Sequence, residues 1–186
     1  LYLLPFCAEN KTPFIYPSCA LIYESERPFT CLKKLLEDMP KIYSMKALAL
    51  RIFPVYGVGE GERGHPTAIH QWIQDMIRNQ RPVIYGDGTQ SRDFIYISDV
   101  VDTILDFMEE GVTGVRDIGA GNLLVFNDII KTINEVLDTK LEPIYKPEPV
   151  GYPKRILCKN PVPTEFSIRQ GVAQMIGEMV GEIRRN

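Results

Sequence analysis

Residues 81–100 read RPVIYGDGTQSRDFIYISDV. Two apolar runs, PVIY and FIYI, flank the six turn-forming residues GDGTQS, which predicts two strands around a turn. Where the second run begins stands a strongly polar pair, Arg92 and Asp93. Immediately after it, Ser98 reads as an N-cap and Asp99 as first-turn negative charge for a helix over SDVVDTILDFMEE. Strands passing straight into a helix point to an α/β domain.

The same alternation runs outward in both directions. Upstream, LYLLPF and PFIYPS read as buried strands. LKKLLEDMPKIYS has helical periodicity with Pro40 as a kink or early stop, and KALALRIF reads as another buried strand. The Gly-rich loop VYGVGEGERGH leads to a helix over PTAIHQWIQDMIRN, opened by Pro66. Downstream, VRDIGA is a strand, NDIIKTINEVLD a helix and EPIY a strand. The proline-rich KPEPVGYPKR is a loop, and SIRQGVAQMIGEMVGEI is a closing helix capped by Ser167. Trp72, Met76, Met108, Met175 and Met179 fall on helical stripes and read as core, whereas His65 and His70 read as surface or capping residues.

Bulk properties narrow the function. The 186 residues are 45% apolar, enough to bury a core. With 21 Lys+Arg against 24 Asp+Glu, the formal charge is −3 and no block of like charge appears. Nucleic-acid and membrane-surface partners are therefore not expected. No apolar run reaches the length of a membrane span, and the start LYLLPF has neither a basic stretch nor a cleavage site, so a cytoplasmic protein is expected. Cys7, Cys19, Cys31 and Cys158 form no CxxC pair and read as free thiols, with no metal site.

ALRIFPVYG followed by RPVIYGDGTQSRDFIYISDVVD resembles the substrate-binding half of the extended short-chain dehydrogenase/reductase group, the NAD-dependent epimerase/dehydratase family exemplified by UDP-glucose 4-epimerase. The resemblance continues through GVRDIGAGNLLVFNDIIKTINEVL and FSIRQGVAQMI. It implies a partial NAD-binding Rossmann-type parallel sheet with a smaller mixed α/β substrate-binding domain. Residues 1–57 would be the remnant of the Rossmann half. Residues 58–186 would mainly bind the nucleotide sugar, with some strands and helices returning to the Rossmann sheet. LYLLPFCA resembles the family's fourth Rossmann strand, so a helix and a strand would be missing before IYPSCALIY. The family's Gly-x-x-Gly-x-x-Gly turn, which seats a pyrophosphate on a helix N-terminus, has no counterpart in these residues.

The resemblance also assigns roles. The family's Tyr-x-x-x-Lys pair falls on Phe29 and Lys33, or, shifted by one, on Thr30 and Lys34. The serine or threonine that binds the sugar hydroxyl falls on Cys19, with Ser18 before it, and the substrate-binding asparagine falls on Pro54. The missing phenol reflects either a gap in the chain or decay of the site. Lys33 would also contact NAD. Tyr85 matches the aromatic residue near the nucleotide base, and Arg92 the arginine that grips the diphosphate. A guanidinium fork suits that task because it bonds two phosphate oxygens at once; the plainer alternative pairs Arg92 with Asp93 or Asp87. Lys154 and Arg155 are further candidates for phosphate, and Arg51 either faces the site or braces its loop. The implied activity is NAD-dependent epimerisation or dehydration of a nucleotide-linked hexose by a homodimer. A non-catalytic nucleotide-sugar-binding or dimerisation protein of the same fold is the alternative.

Overall fold

The run ALALRI is buried from Ala47 to Leu50 without alternation, as expected of a strand covered on both faces of a parallel sheet. In the computed structural model, which describes residues 3–23, 27–62, 64 and 66–183, it is the middle strand of three. His65 lies outside the described residues.

In chain order the elements are α1 (Leu3–Glu9), β1 (Phe14–Pro17), α2 (Pro28–Ile42), β2 (Ala47–Ile52), β3 (Val55–Tyr56), α3 (Ala68–Ile77), β4 (Val83–Tyr85), β5 (Ser91–Asp93), β6 (Ile95–Tyr96) and α4 (Ile97–Glu109). After these come β7 (Gly114–Ile118), β8 (Leu123–Val125), α5 (Phe126–Leu137), β9 (Ile144–Lys146), β10 (Arg155–Ile156) and α6 (Ile168–Ile183). A 3₁₀ turn, Ala20–Tyr23, follows β1.

β2 pairs in parallel with β1 on one side, Phe14 opposite Ala47, and with β7 on the other, Leu48 opposite Gly114. One face of this Rossmann-type sheet presents Leu48, Leu50 and Ile118 to Ile95 and to Val100 of α4. α2 is tied to the same sheet by polar contacts: the Tyr16 hydroxyl donates to the Leu36 carbonyl, and Arg51 of β2 pairs with Glu37. The second core lies among α3, α5 and α6, where Ile69, Trp72, Met76, Ile129, Ile133, Val172 and Met175 interlock with Tyr56, Phe94 and Tyr96.

Several expectations change. The run from Leu3 is not a strand but the helix α1, which buries Leu4 and Cys7, three residues apart, and places Pro5 in the first turn where an N–H has no partner in the helix anyway; the first two residues of LYLLPF lie outside the described residues. An unbroken apolar run carries no period, so sequence alone cannot separate the two. The supposed missing helix and strand before β1 fall away with it, since residues 3–9 are themselves the helix that enters β1.

The strands around GDGTQS do not pair with each other. β4 pairs in parallel with β9, whereas β5 sits between β10 and β8, and a separate short strand, β6, pairs with β3. α4 begins at Ile97 with Tyr96 as its cap, so Ser98 lies in the first turn and its hydroxyl is buried without a partner. Pro40 neither stops nor ends α2, which runs on to Ile42. Met108 is exposed and His70 is buried, both against expectation. Ser167 caps α6 as expected, its hydroxyl accepting from the Gln170 N–H while Gln170 accepts from the Ser167 N–H.

Candidate functional site

In an open parallel sheet, ligands sit beyond the carboxyl ends of the strands. β1 ends at Pro17, and Ser18 and Cys19 follow directly, beside the helix α2. α2 starts where it does because Pro28 occupies its first position and Thr30 closes a reciprocal cap with the Arg27 backbone. One turn on, the Lys33 ammonium donates to the Pro17 carbonyl at 2.9 Å and lies 5.7 Å from the centre of the Phe29 ring. Lys33 faces the end of β1 with the half-exposed Phe29 ring beside it, whereas Thr30 is buried in the cap and Lys34 is exposed.

Behind Cys19 stands a polar network in which only Arg51 stands out by its place at a strand end. Ser18 donates to Glu37 at 2.5 Å, and Arg51 takes both Glu37 oxygens, at 2.9 and 2.6 Å. The same guanidinium donates to the Tyr23 hydroxyl at 2.6 Å, which in turn donates to Asp117 of β7. Arg51 thus braces both ends of the turn that carries Cys19, at Ser18 through Glu37 and at Tyr23 directly. Burial pushes the Glu37 carboxyl up, but the bonds from Arg51 and Ser18 outweigh it and hold the group below the usual carboxylate range. Glu37 could have been found from its place four residues after Lys33, one turn along the same face. Tyr23 and Asp117, 94 residues apart, carry no local signal.

Arg92 is only 5% exposed. Its guanidinium lies 5.0 Å from the Tyr152 ring and 5.5 Å from the Phe126 ring, and it donates to the carbonyls of Ser91 and Pro153. Asp93 is its strand neighbour and faces the other way, accepting from the backbone N–H groups of Ala120, Gly121 and Cys158. Asp87 accepts from Thr89. Both carboxylates named in the plainer reading therefore have other donors.

The remaining candidates scatter around Arg92. Tyr85, half-exposed at the end of β4, has the Lys146 ammonium 6.0 Å from its ring centre. It lines a cavity of about 250 Å³ with Trp72, Phe126, Lys146 and Tyr152. Pro54 lies between β2 and β3, and its carbonyl accepts from the Ile95 N–H. Lys154 and Arg155 point to solvent, and the Lys154 backbone bonds Ser91.

As a place for a dinucleotide, the β1 end fits in one respect and not in another. A ribose hydroxyl could take over the Lys33 ammonium from the Pro17 carbonyl. The phenol that would move a proton beside it is absent, because Phe29 has no ionisable group. Among the described residues no His, Cys, Asp and Glu cluster suits a metal ion. No described helix is long and apolar enough to cross a membrane.

Comparison with known proteins places this geometry. The sequence profile of the NAD dependent epimerase/dehydratase family matches residues 6–120. Three similar structures are nucleotide-sugar enzymes. One is UDP-N-acetylglucosamine 4-epimerase from Methanobrevibacter ruminantium in complex with UDP-N-acetylmuramic acid, at 23% identity and TM-score 0.87 over 97% of this chain and 67% of that one. Another is UDP-glucose 4-epimerase from Thermotoga maritima with UDP-glucose, at 23% identity and TM-score 0.85 over 97% and 68%. The third, a tyrosine-to-phenylalanine mutant of UDP-glucuronic acid 4-epimerase from Bacillus cereus, holds a fluorinated UDP-sugar and NAD; it matches at 24% identity and TM-score 0.82 over 97% and 66%. The chain therefore spans about two-thirds of the length of the proteins it resembles, and at these identities the likeness is one of fold.

Proposed function

The chain belongs to the NAD dependent epimerase/dehydratase family, and we propose that it takes part in NAD-dependent epimerisation of a nucleotide-diphosphate hexose. The observation that carries this reading is Arg92. A guanidinium 5% exposed and flanked by the Tyr152 and Phe126 rings is pre-aimed and partly shielded from water, which strengthens its bond to an anion. Tyr85 at the nearby aromatic cavity supports a planar base beside that anion. NAD supplies a hydride acceptor next to the sugar. On the protein side, Lys33 holds the ribose, Ser18 and Cys19 present hydrogen-bonding groups to the sugar hydroxyl, and Pro54 lines the cleft without a polar side chain. Lys154 and Arg155 add mobile positive charge.

The test is direct. The purified protein is denatured with acid, the released material is read by absorbance and mass for NAD, and UDP, dTDP and GDP are titrated by calorimetry. We expect binding of at least one diphosphate, weakened about tenfold or more in Arg92→Lys, which keeps the charge but loses the fork. Arg92→Ala is the poorer variant, because Arg92 also holds the Pro153 carbonyl and its loss loosens the loop. Failure of all three diphosphates to bind, with no dinucleotide released, sinks the reading.

We further propose a cytoplasmic homodimer. α1 leaves Leu3 and Phe6 largely exposed, and α2 leaves Leu32 and Leu35 so; exposed apolar side chains of this size suit the surface of a second copy. Light scattering is expected to give twice the chain mass, and Leu35→Glu is expected to give a monomer. A monomer before substitution rejects the dimer.

A further inference from the structure

Two arginines from different layers of the fold converge on one short strap of chain. Arg27, exposed at the N-cap of α2, donates from Nη2 to the Gly151 carbonyl at 2.6 Å. Arg92 of β5 donates from Nη2 to the Pro153 carbonyl. Two residues cannot place their Cα atoms more than about 7.6 Å apart, since each peptide step spans about 3.8 Å. The two guanidinia therefore reach carbonyls two residues apart on the same short strap. Gly151 makes this possible. It sits at φ +71°, and a Cβ there would approach the Arg27 guanidinium to 3.0 Å.

Each guanidinium carries five N–H donors in a fixed fork, and here each spends a donor on a neutral strap carbonyl. A phosphate oxygen is the stronger partner, because the bond then joins two charges. Arg27 also stands two residues before Phe29, at the end of α2 nearest β1, so it reaches the cleft from the sheet side while Arg92 reaches it from the helical side. From this convergence we infer that Arg27 is the second half of the diphosphate clamp whose first half is Arg92, the strap carbonyls of Gly151 and Pro153 giving way to phosphate oxygens. The inference rests on the nucleotide-sugar reading above and adds to it a specificity: two phosphates, one for each arginine. It also explains why no arginine of the 151–155 loop need point inward, since Arg155 faces solvent.

Titration of UDP and UMP by calorimetry tests it, with four proteins: the unaltered chain, Arg27→Gln, Arg92→Lys and Lys41→Gln. Lys41 lies at the far end of α2, about 20 Å away at about 1.5 Å per residue, and controls for loss of one positive charge. Arg27→Gln is expected to weaken UDP about tenfold, the loss of one charge-assisted hydrogen bond, and UMP less than about twofold. Lys41→Gln is expected to leave both unchanged, and all four proteins to melt together. Equal UDP affinity in Arg27→Gln and the unaltered chain overturns the inference and leaves the nucleotide-sugar reading standing. An equal fall in Lys41→Gln overturns it too, by assigning the effect to overall charge. UDP that fails to bind the unaltered chain, or binds Arg92→Lys equally well, overturns both.

Discussion

Asp93→Ala is expected to cost about 3–5 kcal/mol of folding stability, read as a fall in the urea midpoint by circular dichroism. Asp93 has no solvent exposure, and its two oxygens accept from the N–H groups of Ala120, Gly121 and Cys158. Those groups lie in the turn after β7 and the segment after β10, so one side chain joins three stretches of chain. Burial raises the carboxyl above its usual range, while the backbone bonds pull it back. Truncation would leave several buried donors without acceptors, each costing about 1–3 kcal/mol. Since a domain of this kind is stable by only about 5–15 kcal/mol, that loss takes a large part of the total and lowers the midpoint well beyond the scatter of the measurement. Asp87→Ala, at an exposed turn where the carboxylate accepts from Thr89 two residues on, is expected to change stability by less than about 1 kcal/mol. Equal midpoints for the two variants would reject the role of Asp93.

The same residue shows where sequence reading works and where it stops. Arg92 and Asp93 stand out as charge at the start of an apolar run, and strand alternation sends them to opposite faces. That much is local. What Asp93 holds is 27, 28 and 65 residues away, and nothing in the sequence pairs those positions. The helices α3, α5 and α6 declare themselves through regular apolar spacing, whereas α1 does not, because LYLLPF is apolar all along its length. β8 carries no local signal for a related reason: three residues, Leu123–Val125, are too few to show a period. In the candidate site, the Phe29–Lys33 spacing is legible because a helix fixes it. Tyr23, Arg51 and Asp117 meet only through the register of β2 beside β7, in which Arg51 sits opposite Asp117.

Phe29→Tyr is expected to raise turnover of the preferred nucleotide hexose by about 10²–10⁴-fold, the usual contribution of a positioned general acid or base. Phe29 is 53% exposed at the first turn of α2, so a para hydroxyl meets space rather than packed atoms. Stability should stay within about 0.5 kcal/mol, as for other exposed substitutions. The Lys33 ammonium, 5.7 Å from the ring centre, would favour the phenolate and lower the phenol's pKa. Tyr23 cannot already be doing this work. Its hydroxyl accepts from Arg51 and donates to Asp117, and its pKa is raised, burial being the largest cause and Asp117 adding to it against the pull of Arg51. Turnover is measured by chromatography of the sugar nucleotides with NAD present, beside the double variant Phe29→Tyr/Lys33→Met. The gain should vanish in the double variant while UDP affinity, which depends on Arg92, stays constant. Turnover equal to that of the unaltered protein, at equal UDP affinity and equal melting temperature, would mean that position 29 does not face the reacting sugar and that proton transfer, if it occurs here, is carried by another group.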